Sequence, residues 1–214
     1  MNVAVLGEGI TGKAVSAALS RIAGFIQTDI ETADLIVVSP GIPPDQYPQT
    51  QCEIISEIEF AYRLFHREES KYRPKLIGVT GTNGKTTVTS MISHISGMPV
   101  SGNIGTPLID FVDHKDAPEW IVVELSSYQL YGTSEFKLDV SVLLNIEPDH
   151  LEWHKTMTAY EDAKAKILEN QTSSDQCVAF KEDSRIQGVL DKARTNITYF
   201  SKEDIPLYSG LNTF

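Results

Sequence analysis

Cysteine is nearly absent from this chain. Cys52 and Cys177 are the only two among 214 residues, far apart and without metal-ligand spacing. They predict small buried side chains in a reducing compartment and argue against a disulfide. Basic charge is also scarce, with 18 Lys and Arg against 29 Asp and Glu and a formal net charge of −11. That balance argues against nucleic acid or an anionic membrane surface as the main partner, because both require basic patches. Nucleotides stay open, since local loops and metals hold them. No apolar run approaches the length that spans a bilayer. Met1-Asn-Val-Ala-Val-Leu6 enters a strand pattern without the basic stretch of a signal peptide. The expectation is a soluble, cytoplasmic protein, with a monomer as the simplest state. No internal repeat or low-complexity tract occurs. What remains is ordinary: 41% hydrophobic and 22% charged residues, ample for one large or two small domains.

The densest signal is Leu76-Ile-Gly-Val-Thr-Gly-Thr-Asn-Gly-Lys-Thr-Thr87. An apolar run meets a glycine-rich turn, then a lysine and two hydroxyl residues that open a helical pattern. Backbone N–H groups close on phosphate oxygens only where glycines remove side chains, and the following helix adds its positive end. Gly81, Thr82, Asn83, Gly84, Lys85, Thr86 and Thr87 are therefore candidate ATP-binding residues. Lys85 is placed to reach the outer phosphates and Thr86 to offer its hydroxyl to magnesium. The strict motif has four residues between its glycines, whereas only Thr82 and Asn83 separate Gly81 from Gly84. An ordinary strand-to-helix turn explains the glycines but not the Lys-Thr-Thr.

Earlier in the chain, a strand over 3–6 leads into Gly7-Glu-Gly-Ile-Thr-Gly12 and a helix over 13–22, with Ala14, Ala17, Ala18 and Leu19 on its packed side. This is the G-x-G-x-x-G turn in its strand-to-helix setting, although a tight packing turn without a ligand reads the same way. Asp29 stands where such motifs place a ribose contact. The chain then passes almost directly to a strand over 35–39, without the helix a full dinucleotide half has, so the unit is a stripped Rossmann-like lobe. Ser39-Pro-Gly-Ile-Pro-Pro44 is a rigid loop. Residues 49–65 read as helix, short strand (53–55) and helix, with Ile58, Tyr62 and Phe65 on one face. Residues 63–73 are charged, lack apolar periodicity and end at Pro74, which places a domain boundary there. The domains expected are 1–73 and 74–214.

Beyond it come strands over 76–79, 99–102, 120–124, 140–144, 177–180 and 197–200. Helices are expected over 86–95, 108–112, 158–169 and 183–194. Parallel strands with crossover helices fit throughout: an α/β protein with a small Rossmann-like N-terminal domain and a phosphate-loop-type α/β domain with a mostly parallel sheet. Ligands in such sheets sit beyond the carboxyl ends of the strands. Three features fall there: the glycine loop, Glu124 and Asn145-Ile-Glu-Pro-Asp-His150. A carboxylate ending the buried run Ile121-Val-Val is costly unless a cation waits there, and a magnesium ion on ATP phosphates supplies one. A cap on the turn 125–130 is the alternative. His150 and His154 lie four apart, but Leu151 stands where the zinc-protease pattern needs glutamate, and Pro148 makes a loop. Lys164 reads equally as a surface lysine or as one beside the buried face of Ala159, Ala163, Ile167 and Leu168.

These residues resemble the Mur ligase family. The matching stretches, in family order, are Gly81-Thr-Asn-Gly-Lys-Thr-Thr87, Gly102-Asn-Ile-Gly105, Glu124-Leu-Ser-Ser-Tyr-Gln-Leu130, Asn145-Ile-Glu-Pro-Asp-His150 and Tyr160-Glu-Asp-Ala-Lys164. The Glu-Leu-Ser-Ser-aromatic-Gln-Leu run is most specific to the branch that joins D-glutamate to UDP-N-acetylmuramoyl-L-alanine in peptidoglycan synthesis. The short glycine loop is the one this family uses. The resemblance implies phosphorylation of a substrate carboxylate by ATP, then attack of an amine on the acyl phosphate. It implies that Lys85 and the loop amides hold the β/γ-phosphates and that Thr86 and Glu124 bind one magnesium ion. His150 and Lys164 serve a second ion, with Lys164 carboxylated by CO₂. It also implies that Asn103 and Ser126 contact the muramoyl substrate and that Gly7, Gly9, Ile10, Thr11 and Gly12 cradle the UDP diphosphate. Thr28 or Asp29 is the candidate at the uracil.

Family members carry a further part of the ATP domain and a third, amino-acid-binding domain, so the resemblance implies a chain short of the D-glutamate site and unable to complete ligation alone. Three rivals remain: another Mur or folylpolyglutamate-synthase-type ligase, a non-catalytic UDP-sugar-binding module, and an NAD-dependent oxidoreductase built on the first glycine turn.

Overall fold

The computed structural model describes residues 1–113, 116 and 118–204. Its first sheet is formed by β1 (Asn2–Leu6), β2 (Ile26–Gln27), β3 (Leu35–Val38) and β4 (Glu53–Ser56) in the order β2-β1-β3-β4, all pairs parallel. All four β3 residues, Leu35-Ile-Val-Val38, are buried, as a strand covered on both faces requires. α1 (Ile10–Leu19) starts three residues before the expected Lys13, directly from an extended Gly9. The two-residue β2 has no sequence signature, because both of its residues are exposed. The helix expected from residue 49 is absent. Pro48 precedes it, and the Thr50 hydroxyl instead accepts from the Cys52 amide at 3.0 Å, a local turn. α2 (Glu57–His66) runs through Arg63, so the charged stretch begins as helix.

The second sheet contains β5 (Lys75–Thr80), β6 (Val100–Gly102), β7 (Trp120–Glu124), β8 (Val140–Leu143), β9 (Gln176–Phe180) and β10 (Asn196–Phe200). Their order is β10-β9-β8-β5-β7-β6, again all parallel. The helices are α3 (Lys85–Ser96), α4 (Ser127–Tyr131), α5 (Leu151–His154), α6 (Met157–Ala165) and α7 (Ser184–Leu190). Where a helix over 108–112 was expected, a 3-10 turn, Leu108–Phe111, follows Pro107. The helix expected over 158–169 divides into α6 and a 3-10 turn, Lys166–Leu168. The one expected over 183–194 is shorter, with Asp183 as its cap accepting from the Arg185 and Ile186 amides. Both cysteines are free; Cys177 is buried and Cys52 half-buried. Among the described residues no helix is long and apolar enough to cross a membrane.

One hydrophobic cluster runs through both sheets' helices, from Val15 and Leu64 to Leu108, Leu130 and Ile186. Polar ties reinforce it where β4 turns into α2. The Ser56 amide donates to the Gly132 carbonyl at 2.9 Å. Glu57, buried, accepts from the Ile109 amide at 2.6 Å; burial above all, against that bond, pushes its carboxyl up to about 7. Glu59, with 0% exposure, accepts from the amides of Ser134, Glu135 and Phe136 at 3.0, 3.0 and 2.9 Å and from Arg63 Nε at 2.7 Å. Arg63 is held in turn by both oxygens of Glu53. A carboxylate of one lobe thus caps three amides of the other.

Candidate active site

The phosphate loop lies between the end of β5 and the start of α3. Gly84 takes φ 83°, a left-handed conformation that side chains resist. A Cβ on Gly81 would stand 3.0 Å from Leu144 Cβ and 3.3 Å from the Asn145 amide nitrogen, so a side chain there would press on the 144–145 segment. Asn145 splints the loop: its carbonyl accepts from the Thr82 amide at 2.9 Å, and its side chain exchanges bonds with Asn83 at 2.8 and 3.0 Å. The first-turn amides of α3, which have no partner within a helix, are left to face an anion. Lys85 folds back, its Nζ donating to the Gly81 and Thr82 carbonyls at 2.9 Å each. Thr86 and Thr87 are exposed on the first turn of α3.

Glu124 lies at the end of β7, in register with Val79 of β5. It is 1% exposed. Asn103 Nδ2 donates to its Oε1 at 2.7 Å, while Oε2 is buried without a partner. A buried carboxylate oxygen left bare costs several kcal/mol, and a cation removes that cost. Glu124 does not cap the following turn. Ser126 does: its Oγ accepts from the Gln129 amide at 3.3 Å, and the Gln129 side chain reaches back to the Ser126 amide at 3.0 Å.

Lys164 is not a surface lysine. It is 1% exposed, and its Nζ donates to the Gly81 carbonyl at 2.8 Å. Burial first, then the neighbouring Lys85 charge, brings its ammonium down to about 7, with Asp149 opposing. One turn earlier on α6, the buried Tyr160 hydroxyl meets Thr82 Oγ1 at 3.0 Å. α6 therefore holds the loop at two consecutive residues. His150 takes φ 55° before α5, 4.8 Å between ring centroids from Tyr128. His154 turns elsewhere, with Nε2 2.9 Å from the buried Ser127 hydroxyl, so the two histidines are not presented as a pair. Among the described residues no three His, Cys, Asp or Glu side chains gather as a metal cage. Magnesium on nucleotide phosphates needs only one or two protein ligands, and the bare Glu124 oxygen fits it.

Gly7, Gly9, Ile10, Thr11 and Gly12 belong to the other sheet, beyond the end of β1. A Cβ on Gly12 would fall 1.9 Å from the Gly7 carbonyl oxygen, and one on Gly7 2.6 Å from Ser39 Oγ. Ser39 Oγ is itself buried and unpartnered. Sequence reading placed Ser39 in a stiff loop and missed it, as it missed Asn145 and Tyr160 as loop supports. Single Ser, Asn and Tyr residues have no spacing that marks them; only the fold aims them. Gly12→Ala is expected to cost about 2–4 kcal/mol, read as a lowered urea midpoint with an unchanged m-value.

Two parallel sheets, a glycine-Lys-Thr loop at one strand end and a bare carboxylate at the next define a phosphate-loop-type nucleotide-binding α/β protein. A family model described as the Mur ligase middle domain matches residues 79–209. The chain belongs to the Mur ligase family. It is 40% identical over 194 residues to the UDP-N-acetylmuramoylalanine–D-glutamate ligase of Clostridioides difficile (strain 630), covering 86% of this chain and 42% of that protein. To the same-named ligase of Geotalea uraniireducens (strain Rf4) it is 42% identical over 175 residues, 77% of this chain and 37% of that one. The chain thus spans about two-fifths of the length of the curated relatives it matches. Among solved structures, the UDP-N-acetylmuramate:L-alanyl-gamma-D-glutamyl-meso-diaminopimelate ligase from Neisseria meningitides aligns with TM-score 0.59 at 18% identity, covering 93% of this chain and 77% of that one. The MurF ligase from Thermotoga maritima, in complex with ADP, aligns with TM-score 0.54 at 19% identity, covering 94% and 47%. At those identities the likeness is one of fold.

Proposed function

We propose that this chain carries the UDP-substrate lobe (1–73) and the ATP-binding lobe (74–214) of an ATP-dependent ligase in peptidoglycan precursor synthesis, one that joins D-glutamate to UDP-N-acetylmuramoyl-L-alanine. The observation that carries this reading is Glu124, whose buried, unpartnered oxygen ends the strand beside the phosphate loop. The relatives' name supplies the substrates.

Lys85 leaves the Gly81 and Thr82 carbonyls and takes up the β/γ-phosphates, joined by the first-turn amides of α3. Thr86 and Glu124 would hold one magnesium ion, and His150 and Lys164 would serve a second. Bound magnesium neutralises charge where two anions meet, the γ-phosphoryl group and the L-alanine carboxylate. Asn103 orients Glu124 and, with Ser126, faces the muramoyl substrate. Gly7 to Gly12, with Ser39, receive the UDP diphosphate. The alanine carboxylate oxygen attacks the γ-phosphorus and ADP leaves. The D-glutamate amine then attacks the acyl carbon, loses a proton, and inorganic phosphate departs as the amide forms.

Lys164 is suited to carboxylation. An ammonium near pH 7 supplies free amine, whose lone pair attacks CO₂ and sheds a proton to give a carbamate. The result is an anionic oxygen ligand where a cation stood. Incubation with ¹³C-labelled CO₂ should give a carbamate carbon resonance that Lys164→Met removes; an unchanged spectrum refutes the modification.

Calorimetry on this chain with Mg-ATP and, separately, with UDP-N-acetylmuramoyl-L-alanine tests the larger reading. Both should bind. Lys85→Ala should weaken Mg-ATP at least tenfold and leave the muramoyl nucleotide unchanged. A chain that binds the second and ignores the first is a UDP-sugar module instead.

A further inference from the structure

The two lobes meet around a cavity at the opposite end of β5 from the phosphate loop. Its volume is about 260 Å³, and three stretches of chain wall it. α2 supplies Tyr62 and His66, the connector into β5 supplies Arg73 and Lys75, and the loop before β8 supplies Lys137 and Asp139. Hydrogen-bond donors dominate these walls. Arg73 makes no hydrogen bond or ion pair with any described residue. Lys137 pairs with Asp175 at 3.0 Å, which leaves two of its three N–H groups. The Lys75 ammonium lies 4.0 Å from Glu119, whose side chain is 79% exposed, and a solvated pair at that separation holds weakly. The Tyr62 ring stacks on His66 at 4.2 Å, and His66 Nδ1 donates to the Tyr62 carbonyl at 3.0 Å. Burial first, then the Asp139 charge, pushes the Tyr62 phenol up to about 12, so its hydroxyl keeps a proton to donate. Asp139 is the one carboxylate in the lining, and its Oδ2 already accepts from the Leu76 amide at 2.9 Å.

Such a gathering of cations runs against the rest of the chain, where Asp and Glu outnumber Lys and Arg 29 to 18. Like charges held around one hollow repel each other until an anion sits among them. We propose that this cavity binds a compact, phosphate-bearing polyanion. Size and geometry select that class. A water molecule takes up about 30 Å³, so the hollow has room for roughly nine heavy atoms, the number in pyrophosphate and well short of a nucleotide. Donors arrive from three sides, which suits tetrahedral groups with oxygens all round; a planar carboxylate shows its two oxygens to one side. The Arg73 fork can take two oxygens of one phosphate, while Lys75 and Lys137 act as point charges on the other. A bound polyanion would join α2 of the first lobe to the connector and to the loop that Glu59 caps, and so tighten the junction between the lobes. None of this depends on the ligase reading, and neither ATP nor the muramoyl nucleotide enters its test.

Calorimetry of the chain with sodium pyrophosphate in magnesium-free buffer measures the binding. An event is expected that also raises the melting temperature. Arg73→Gln should weaken it at least about tenfold, the effect of losing a charge-assisted hydrogen bond. That substitution removes no contact within the chain, so circular dichroism and the unliganded melting temperature should match the parent's. Lys71→Gln, which deletes an exposed cation outside the lining, should leave the affinity unchanged. Lys85→Ala, in the phosphate loop, should leave this event in place. Citrate, a polyanion of planar carboxylates, should bind at least about tenfold more weakly than pyrophosphate. Absence of binding at millimolar pyrophosphate overturns the proposal. So does an event that Lys85→Ala removes and Arg73→Gln spares, an equal loss from Arg73→Gln and Lys71→Gln, or citrate that matches pyrophosphate.

Discussion

Glu59→Ala is expected to lower the unfolding free energy by about 3–5 kcal/mol, among the largest single losses this chain can suffer. The substitution deletes the acceptor of three backbone amides, those of Ser134, Glu135 and Phe136, in a place with no exposure. It also leaves Arg63 with the exposed Glu53 and Glu135 as its anionic partners. Buried donors without acceptors bear their full desolvation cost. Glu59→Gln keeps one acceptor oxygen and should lose roughly half as much. Urea unfolding followed by tryptophan fluorescence measures both. Because this carboxylate joins α2 to the loop before β8, the alanine variant should also unfold in two steps. A single transition with a loss under about 1 kcal/mol would show that the tie carries little.

Lys164→Met is expected to stabilise the protein while removing the amine proposed to take up CO₂. In the folded chain Lys164 holds its proton only up to about pH 7, against 10.5 ordinarily. Between those values the unfolded chain binds more protons, so stability rises with pH across that window. Below pH 7 both states are protonated and the full cost of a buried ammonium is present. That cost is roughly 4–5 kcal/mol at 1.36 kcal/mol per unit, less about 1–2 for the lost bond to Gly81. In CO₂-depleted buffer at pH 6 the variant should therefore gain about 3 kcal/mol. The gain should shrink as pH rises towards 10, and chemical denaturation at several pH values traces it. A pH-independent difference would show that the ammonium is not desolvated.

Legibility from sequence varied with the kind of signal. Elements with a strong period or a chemical start were clear: β3 as an unbroken apolar run, α3 opening at Lys-Thr-Thr, β7 ending on Glu124. Elements set by neighbours were not. β2 is two exposed residues held by pairing to β1, and no periodicity marks it. The helix expected at residue 49 lost to a Thr50 turn after Pro48. The long helix near residue 158 broke into α6 and a tighter turn because Ile167 and Leu168 are drawn into the core.

At the site, the sequence by itself determined the chemical types and their order: a glycine loop with lysine, a carboxylate at a strand end, a histidine loop and a helical lysine. Such groups are local, and their spacing along the chain carries their meaning. Tertiary structure alone decided between the local readings of Glu124 and of Lys164. It made Ser126, not Glu124, the cap, and so left Glu124 a bare oxygen. It buried Lys164 against Gly81, turning a default surface lysine into one half neutral near pH 7. It aimed Ser39, Asn145 and Tyr160 at the glycine turns from distant parts of the chain. Burial and partnering depend on what the fold brings across tens of residues, and single-residue chemistry holds no record of it.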